Sequence, residues 1–195
     1  LAGRFELVSG TPPFSDRVVR ADPVTRALGL RLHYYFIARS IARLRPGGLA
    51  LFVTSTGTMD KVSTTAREHI ASMADLVGAV RLPEGSMRAS AGTDVVIDVL
   101  VFQRRGAGQD PAGAAWIDLA PVESAAADDD RDDAGDPDSP GSPGIRVNRY
   151  FADHPEMVLG DHALRRGIYG PGLTYACRPR QDGAALESLL ITALD

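Results

Sequence analysis

Cysteine, long apolar runs and metal-ligand spacings are scarce or absent in this chain. Cys177 is the single cysteine, which excludes an internal disulfide and fits a reducing, cytoplasmic environment. No stretch approaches the roughly 18 consecutive apolar residues of a membrane-spanning helix, and the N-terminus has no basic segment followed by an apolar one. His33, His69, His154 and His162 lack metal-ligand spacing. The sequence therefore predicts no membrane segment, no secretory signal and no metal site.

The formal net charge of −4 is unevenly distributed. From Glu123 to Asp138, eight acidic residues accompany one base, Arg131, and the rest of the chain carries 17 acids and 20 bases, a balance of about +3. A mildly basic folded part permits contact with nucleic acid. Residues 106–144 are rich in Ala, Gly, Pro and Asp and are predicted to be an acidic disordered linker, from which Trp116-Ile117 alone docks.

The remaining apolar pattern predicts alternating strands and helices. Residues 49–54 form a continuous apolar run, which is typical of a central parallel strand buried on both faces. In residues 30–45 apolar side chains recur at spacings of three and four, as in an amphipathic helix that Arg45-Pro46-Gly47-Gly48 ends. The predicted strands are 5–10, 49–54, 76–82 and 94–103, the first of them short and buried, and the predicted helices are 30–45, 64–75 and 184–194. This order indicates an α/β sheet whose final two strands form an antiparallel pair, and residues 15–29 are predicted to be a mobile loop.

Thr11-Pro12-Pro13-Phe14 follows the first predicted strand directly. Other ordered stretches are Leu32-His33-Tyr34-Tyr35-Phe36-Ile37, Arg45-Pro46-Gly47-Gly48, Ala79-Val80-Arg81-Leu82-Pro83, Ala91-Gly92-Thr93-Asp94-Val95-Val96-Ile97-Asp98 and the segment from Val147 to Gly160. With these stretches the chain resembles N-6 adenine DNA methyltransferases. It is most similar to the modification-subunit type and to bacterial and phage polypeptides that join such a methylase to a helicase.

The resemblance implies a Rossmann-like sheet that uses S-adenosylmethionine. Residues 1–105 correspond to the C-terminal half of the catalytic domain, with the terminal antiparallel hairpin, and residues 145–195 to a small C-terminal extension. In this family the glycine loop that holds the cofactor lies upstream of the Pro-Pro motif, so the cofactor-binding residues are unknown and the chain is expected to be an inactive fragment of a longer polypeptide. DNA and a fused or associated helicase are the partners that the resemblance implies.

By resemblance, Thr11, Pro12, Pro13 and Phe14 are the catalytic residues. The side chain of Thr11 and the backbone carbonyl of Pro12 accept hydrogen bonds from the adenine amine, Pro13 helps to fix the direction of that carbonyl, and Phe14 stacks on a flipped base. Thr11 stands where the family usually has Asn, Asp or Ser. Slow catalysis, an altered target base and no catalysis all remain open.

Two arginines are predicted to contact DNA, because Arg81 and Arg88 flank a loop between the last two strands of the catalytic half. The alternative to an adenine methyltransferase is a catalytically degenerate domain that binds DNA or scaffolds a helicase-methylase protein. A third reading is methylation of RNA or of a protein glutamine, since those enzymes share the Pro-Pro-aromatic turn.

Overall fold

The protein is described here by a computed structural model that covers residues 3–13, 15, 17–20, 23–92, 94–124, 144–166, 173–180 and 188. Its centre is a four-stranded sheet in the order β1-β2-β4-β3. The strands are β1 (Phe5–Gly10), β2 (Leu44–Ser55), β3 (Ala74–Leu82) and β4 (Ile97–Arg104). Strands β1 and β2 are parallel, whereas β4 is antiparallel to both β2 and β3. The predicted α/β class and the antiparallel final pair are confirmed.

Helices α2 (Leu32–Ile41) and α3 (Thr65–Ala71) pack on the sheet, against β2 and β3 respectively. Two further helices are α1 (Pro23–Leu28) and the short α4 (Arg88–Ala91). In α2 the spacing of three and four places Tyr34, Ile37, Ala38 and Ile41 in the core. Helix α1 lies within residues 15–29, and Val18 of that segment forms a backbone bridge with Arg31, so the described part of the segment is structured where a mobile loop was predicted.

The predicted turn at Arg45-Pro46-Gly47-Gly48 lies inside β2. Helix α2 already ends at Ile41, and β2 begins at Leu44. The pairing with β1 passes from Phe5–Leu44 to Leu7–Leu49, so the Arg-Pro-Gly-Gly segment is accommodated as a bulge. A side chain at Gly48 would approach the carbonyl oxygens of Arg45, Glu6 and Phe5 at 3.0–3.1 Å, which explains the glycine there.

Two burial predictions were wrong, because helices cover only one side of β1 and β2. Along β2, Ala50 and Phe52 are buried at 0% and 2% exposure, whereas Leu49 and Leu51 are 39% and 37% exposed. On β1, Phe5 and Leu7 are 51% and 62% exposed. We call Phe5, Leu7, Leu49 and Leu51 the open face of the sheet.

The C-terminal residues share the core of the sheet. Strand β5 (Leu119–Val122) pairs with β6 (Ile145–Asn148), α5 is Arg149–Asp153, and β7 (Asp161–Arg166) pairs with β8 (Leu173–Arg178). Val147 and Phe151 belong to the same hydrophobic cluster as Phe52 and Leu100.

Within the predicted linker 106–144, residues 106–124 differ from the prediction. Trp116 is buried at 3% exposure and packs against Phe102 with 5.2 Å between ring centroids. Trp116 therefore docks as expected, but strand β5 is ordered as well. Residues 125–143 lie outside the described residues. So does the predicted helix 184–194, apart from Ser188, which is helical. No helix in the described ranges is long and apolar enough to span a membrane.

Candidate functional site

The Pro-Pro motif lies where the parallel pair of strands ends. Strand β1 stops at Gly10, and in the turn that follows Thr11 is exposed, Pro12 is buried and Pro13 is exposed. Because β1 and β2 are parallel, this turn and the loop after Ser55 lie at the same edge of the sheet. The carboxyl edge of parallel strands is where open α/β sheets bind ligands. Phe14 and Asp16 lie outside the described residues.

The chain that follows the motif is fastened to the start of α2. The backbone amide of Val19 donates to the carbonyl of Leu30 at 2.9 Å, and the amide of Leu32 donates to the carbonyl of Arg17 at 2.8 Å. These bonds hold the segment after the turn against the N-terminal end of α2.

Tyr34 joins α2 to the loop after β2. Its hydroxyl donates to the carbonyl oxygens of Thr58 at 2.8 Å and Gly57 at 3.1 Å, and the ring is 3% exposed. Burial raises the pKa of the Tyr34 phenol, against the opposing effect of the nearby Arg67. The loop 56–64 is thereby held against the first turn of α2, at the edge of the sheet where β1 ends.

Arg67 lies completely buried behind Tyr34. Its Nε donates to the carbonyl of Ile117 at 2.6 Å, and its guanidinium also interacts with the Tyr34 hydroxyl. A buried guanidinium without a carboxylate partner is uncommon, because desolvation of the charge is costly.

Three basic residues lie at the same edge, and the lowered pKa of one of them, His33, keeps it neutral near pH 7. Burial lowers the pKa of His33, and the charges of Lys61 and Arg31 lower it further, against a hydrogen bond with the backbone of Ser15. Partial burial and then Arg31 lower the pKa of Lys61. Electrostatic interaction among Arg31, His33 and Lys61 thus links the start of α2, the loop after β2 and the chain after the motif. The sequence analysis did not bring these residues together, because it considered His33 only for metal-ligand spacing.

The prediction that Arg81 contacts DNA was wrong. Its side chain is 0% exposed, and its guanidinium binds both oxygens of Asp98 at 2.7 and 2.8 Å and Asp60 at 2.9 Å. The guanidinium carbon also lies 4.2 Å from the centroid of the Phe151 ring. Every face of the cation is occupied inside the protein, so Arg81 fastens the sheet to α5.

Asn148 joins the start of α5 to the loop after β2 and to Trp116 by buried hydrogen bonds. Its backbone amide donates to Asp60 at 2.9 Å, and its side-chain amide donates to the carbonyls of Met59 and Trp116, both at 2.8 Å. The sequence reading assigned no role to Asp60 or Asn148, since their partners are distant in sequence. Cys177 is buried in the same region, and burial raises the pKa of its thiol to about 12, which keeps it protonated and unreactive.

Arg88, the second predicted DNA contact, is exposed on α4. Its Nε donates to Asp94 at 2.5 Å, and both side chains are more than half exposed. The exposure is compatible with contact to an external anion, and the DNA contact stays a prediction. Among the residues described, no group of three or more His, Cys, Asp or Glu side chains is placed to hold a metal ion.

A cavity of about 540 Å³ lies at the other end of β2 from the motif. Its lining includes Pro46, Gly47, Asp75 and Arg105. Arg105 forms a salt bridge with Asp75, so the charges of the cavity wall neutralise each other and the cavity takes no part in the site at the Pro-Pro turn.

No protein-family model and no curated protein matches this sequence. Among solved structures, a modification subunit of a type I restriction enzyme from Vibrio vulnificus YJ016 is 24% identical, with a TM-score of 0.42 over 52% of this chain and 23% of its own. The EcoKI M protein is 14% identical, with a TM-score of 0.39 over 98% of this chain and 47% of its own. A class I S-adenosylmethionine-dependent methyltransferase from Listeria monocytogenes is 15% identical, with a TM-score of 0.42 over 57% of this chain and 35% of its own.

The structural neighbours are thus type I modification subunits and S-adenosylmethionine-dependent methyltransferases, the kinds of protein that the sequence motifs resemble. The chain spans less than half the length of each of these three structures. The likeness concerns the fold alone.

Proposed function

We propose that this chain forms the base-binding half of an enzyme that methylates the exocyclic N-6 amine of adenine in DNA. The observation that carries the proposal is the position of Thr11-Pro12-Pro13, directly after β1 at the carboxyl edge of the parallel pair, with Pro12 buried and Thr11 exposed. The buried Pro12 fixes the backbone direction at this edge, while the exposed Thr11 leaves its hydroxyl accessible to an incoming base.

The proposed chemistry acts on a poor nucleophile. The lone pair of the adenine amine is delocalised into the ring, and acceptors for both amine hydrogens shift electron density onto the nitrogen. The Thr11 hydroxyl accepts one hydrogen bond and the Pro12 carbonyl the other. Phe14 stacks on the base after it has left the duplex. S-adenosylmethionine is the proposed methyl donor.

The described residues do not supply a site for that cofactor. A cofactor loop requires glycines between the carboxyl end of a strand and a helix. Among the described glycines with positive φ, Gly47 lies in the bulge of β2, and Gly85 lies between β3 and α4, a helix of four residues that is too short to offer an N-terminal anion site. We assign no residue of this chain to cofactor binding and derive no step of the reaction from it.

The open face supports activity within a larger assembly. Phe5, Leu7, Leu49 and Leu51 are each more than a third exposed, and among the described residues β1 pairs with a strand on one edge only. Apolar sheet faces and unpaired edges of this kind are normally covered in stable proteins. In the proposal, residues 1–105 bind the base and the extension 145–195 stabilises them. The protein acts together with a helicase module, in the cytoplasm.

Substitution of Pro12 tests the proposal. In the natural polypeptide that contains these residues, Pro12→Ala should lower methyl transfer from S-adenosylmethionine to DNA at least about tenfold, because the carbonyl acceptor loses its fixed direction. Pro111→Ala, at an exposed proline far along the chain, is the matched control and should retain the activity. Equal rates in both variants would refute a role for the turn.

A further inference from the structure

The loop after β2 is anchored at both ends to the folded core. At its N-terminal side, Asp60 binds the guanidinium of Arg81 and the backbone amide of Asn148, both at 2.9 Å. At its C-terminal side, the carbonyl of Thr64 accepts a backbone hydrogen bond of 2.9 Å from the first turn of α3. The residues between these anchors are Lys61, Val62 and Ser63, which we call the loop tip.

The loop tip presents an apolar side chain to solvent. At 85% exposure, Val62 is the most exposed large apolar side chain among the described residues. Single exposed apolar residues are common on protein surfaces, but this one stands on a three-residue tip between two anchored residues. Its place relative to the sheet is therefore set before any ligand binds. A β-branched side chain is also stiff about χ1, so it loses little entropy when it becomes buried.

The loop tip lies close to the chain that follows the Pro-Pro turn. Strand β1 ends opposite Phe52, whereas the parallel β2 continues to Ser55, so the loop begins beyond the end of β1 at the same edge of the sheet. The ring of His33 connects the two segments, because it is hydrogen-bonded to the backbone of Ser15 and experiences the charge of Lys61. Ser15 directly follows the Pro-Pro-Phe sequence. The loop tip is therefore next to the candidate base site.

A base that leaves a duplex for such a site leaves a gap in the stack. Unpairing and unstacking cost free energy, and the empty position allows the base to return. An apolar side chain that enters between base steps contacts the flanking bases and keeps the position filled. An aliphatic side chain on an anchored tip suits this role, because it carries neither the desolvation cost of a charge nor the ordering cost of a mobile loop.

We propose that Val62 is a wedge that enters the DNA base stack in place of the adenine flipped into the Pro-Pro turn. The proposal rests on the proposed function, because the gap exists only if a base is taken out of a duplex at that turn. The partner of Val62 is the pair of apolar base faces that border the gap. Val62 thereby controls access to a paired adenine, and Thr11 and Pro12 act on the base once it is out.

The test compares a paired target with one that is easier to flip. The adenine that the natural polypeptide methylates is first located by sequencing of the methylated DNA. Val62→Ser should then lower kcat/KM for the matched duplex by roughly tenfold, the factor expected when one valine side chain is no longer buried. On the same duplex with that adenine mispaired, the difference from the wild type should shrink to about twofold or less, since less pairing has to be broken.

Two further variants separate insertion from folding. Val62→Leu keeps an aliphatic side chain at the tip and should retain most of the activity on the matched duplex. Val77→Ser changes a valine that is 57% exposed on β3, at the opposite edge of the sheet from β1, and should behave as the wild type on both duplexes. The urea midpoint of Val62→Ser should equal that of the wild type, because the side chain it replaces is in contact with solvent.

The flipped state is also observable without methyl transfer. A 2-aminopurine base at the target position becomes more fluorescent when it leaves the stack. The wild-type protein should raise this fluorescence at saturation, and Val62→Ser should remove most of the rise while fluorescence anisotropy shows that the DNA is still bound. An equal rise in both proteins would overturn the proposal.

Failure of the wedge and failure of the proposed function give different results. Methyl transfer to the matched duplex at equal rates in the wild type and Val62→Ser refutes the wedge and leaves the function intact. An equal loss on matched and mispaired duplexes also refutes it, because Val62 would then contact DNA without filling a gap. No methyl transfer by the wild type to either duplex refutes the proposed function, and the wedge with it.

Discussion

At the scale of single residues, Thr11 decides how well the proposed site works. Its hydroxyl is a single acceptor on a short side chain, and it is exposed at the end of β1. An asparagine at this position would present an amide oxygen on a longer side chain, without the methyl group of threonine near the base. The stabilisation of the developing charge on the amine therefore depends strongly on this position.

Thr11→Asn should increase the rate of adenine methylation. A complete hydrogen-bonding group in a comparable role is worth about 2.7–4 kcal/mol, so the better reach of the asparagine oxygen should raise the rate by at most roughly a hundredfold. The initial rate of label transfer to DNA at saturating substrate measures the change. Thr174→Asn, an identical substitution at an exposed position of β8, controls for general effects and should leave the rate unchanged. A fall in the rate of Thr11→Asn would show that Thr11 is the optimal residue.

Substitutions of Arg81 and Arg88 distinguish a buried arginine that stabilises the fold from an exposed one that does not. Arg81→Met leaves Asp98 and Asp60 without their cation in the interior and should lower the free energy of unfolding by about 3–5 kcal/mol. Arg88→Met breaks an exposed ion pair and should leave the unfolding midpoint in urea unchanged. Similar midpoints for both variants would contradict the buried network.

At the scale of elements, the apolar pattern predicts the order of strands and helices, but it does not predict which of their faces are buried. The spacing of Tyr34, Ile37 and Ile41 is sufficient to predict α2. The apolar run of β2 predicts a strand, yet it cannot show that Leu49 and Leu51 face an uncovered side of the sheet.

Arg81 was misassigned because a lone arginine on a strand gives no local sign of a partner 17 residues away, at Asp98. Lys61 was missed because its neighbours, Arg31 and His33, come from another element.

The segment between β4 and β5 likewise shows that composition does not predict how a segment packs. Its Ala, Gly and Pro content resembles a linker, but Gly113 packs directly on the edge of β3. A side chain at Gly113 would lie 2.8 Å from the carbonyl of Leu76 and from Cβ of Asp75. A hydrophobic pattern cannot predict such a close approach between two backbone segments.

Gly113→Ala should therefore destabilise the fold. The added methyl group forces the segment away from β3, and overpacking of this kind costs typically about 1–3 kcal/mol. Urea unfolding followed by Trp116 fluorescence reports both the stability and the local packing. Gly144→Ala, where an added side chain meets nothing within 4 Å, is the control. Unchanged unfolding in Gly113→Ala would mean that the segment does not dock on β3.

At the scale of the whole molecule, buried titratable groups limit the pH range of stability. Burial lowers the pKa of His33 and of His162, so the unfolded state binds more protons and stability falls as the pH drops below about 6.5. Burial raises the pKa of the Tyr34 and Tyr150 phenols, so their contribution is lost as the pH rises above about 10. Burial of the Cys177 thiol adds a loss of stability above its ordinary pKa of 9.0, so the free energy of unfolding is constant between about pH 6.5 and 9.

The urea midpoint should consequently be constant near pH 7–9 and decrease on both sides. The double variant His33→Gln and His162→Gln should show a smaller decrease between pH 7 and 5, because neither position can then gain a proton on unfolding. A decrease of the same size in the wild type and the double variant would assign the acid sensitivity to other groups.

The identity of the methylated atom tests the central claim most directly. The natural polypeptide that contains this chain is incubated with DNA and S-adenosylmethionine carrying a trideuterated methyl group, and the nucleosides are analysed by mass spectrometry. Placement of the Pro-Pro turn at the carboxyl edge of β1 predicts the deuterated methyl group on N-6 of adenine, and its loss in Pro12→Ala. Label on cytosine, label on the protein, or no labelled nucleoside in either the wild type or Thr11→Asn would contradict it.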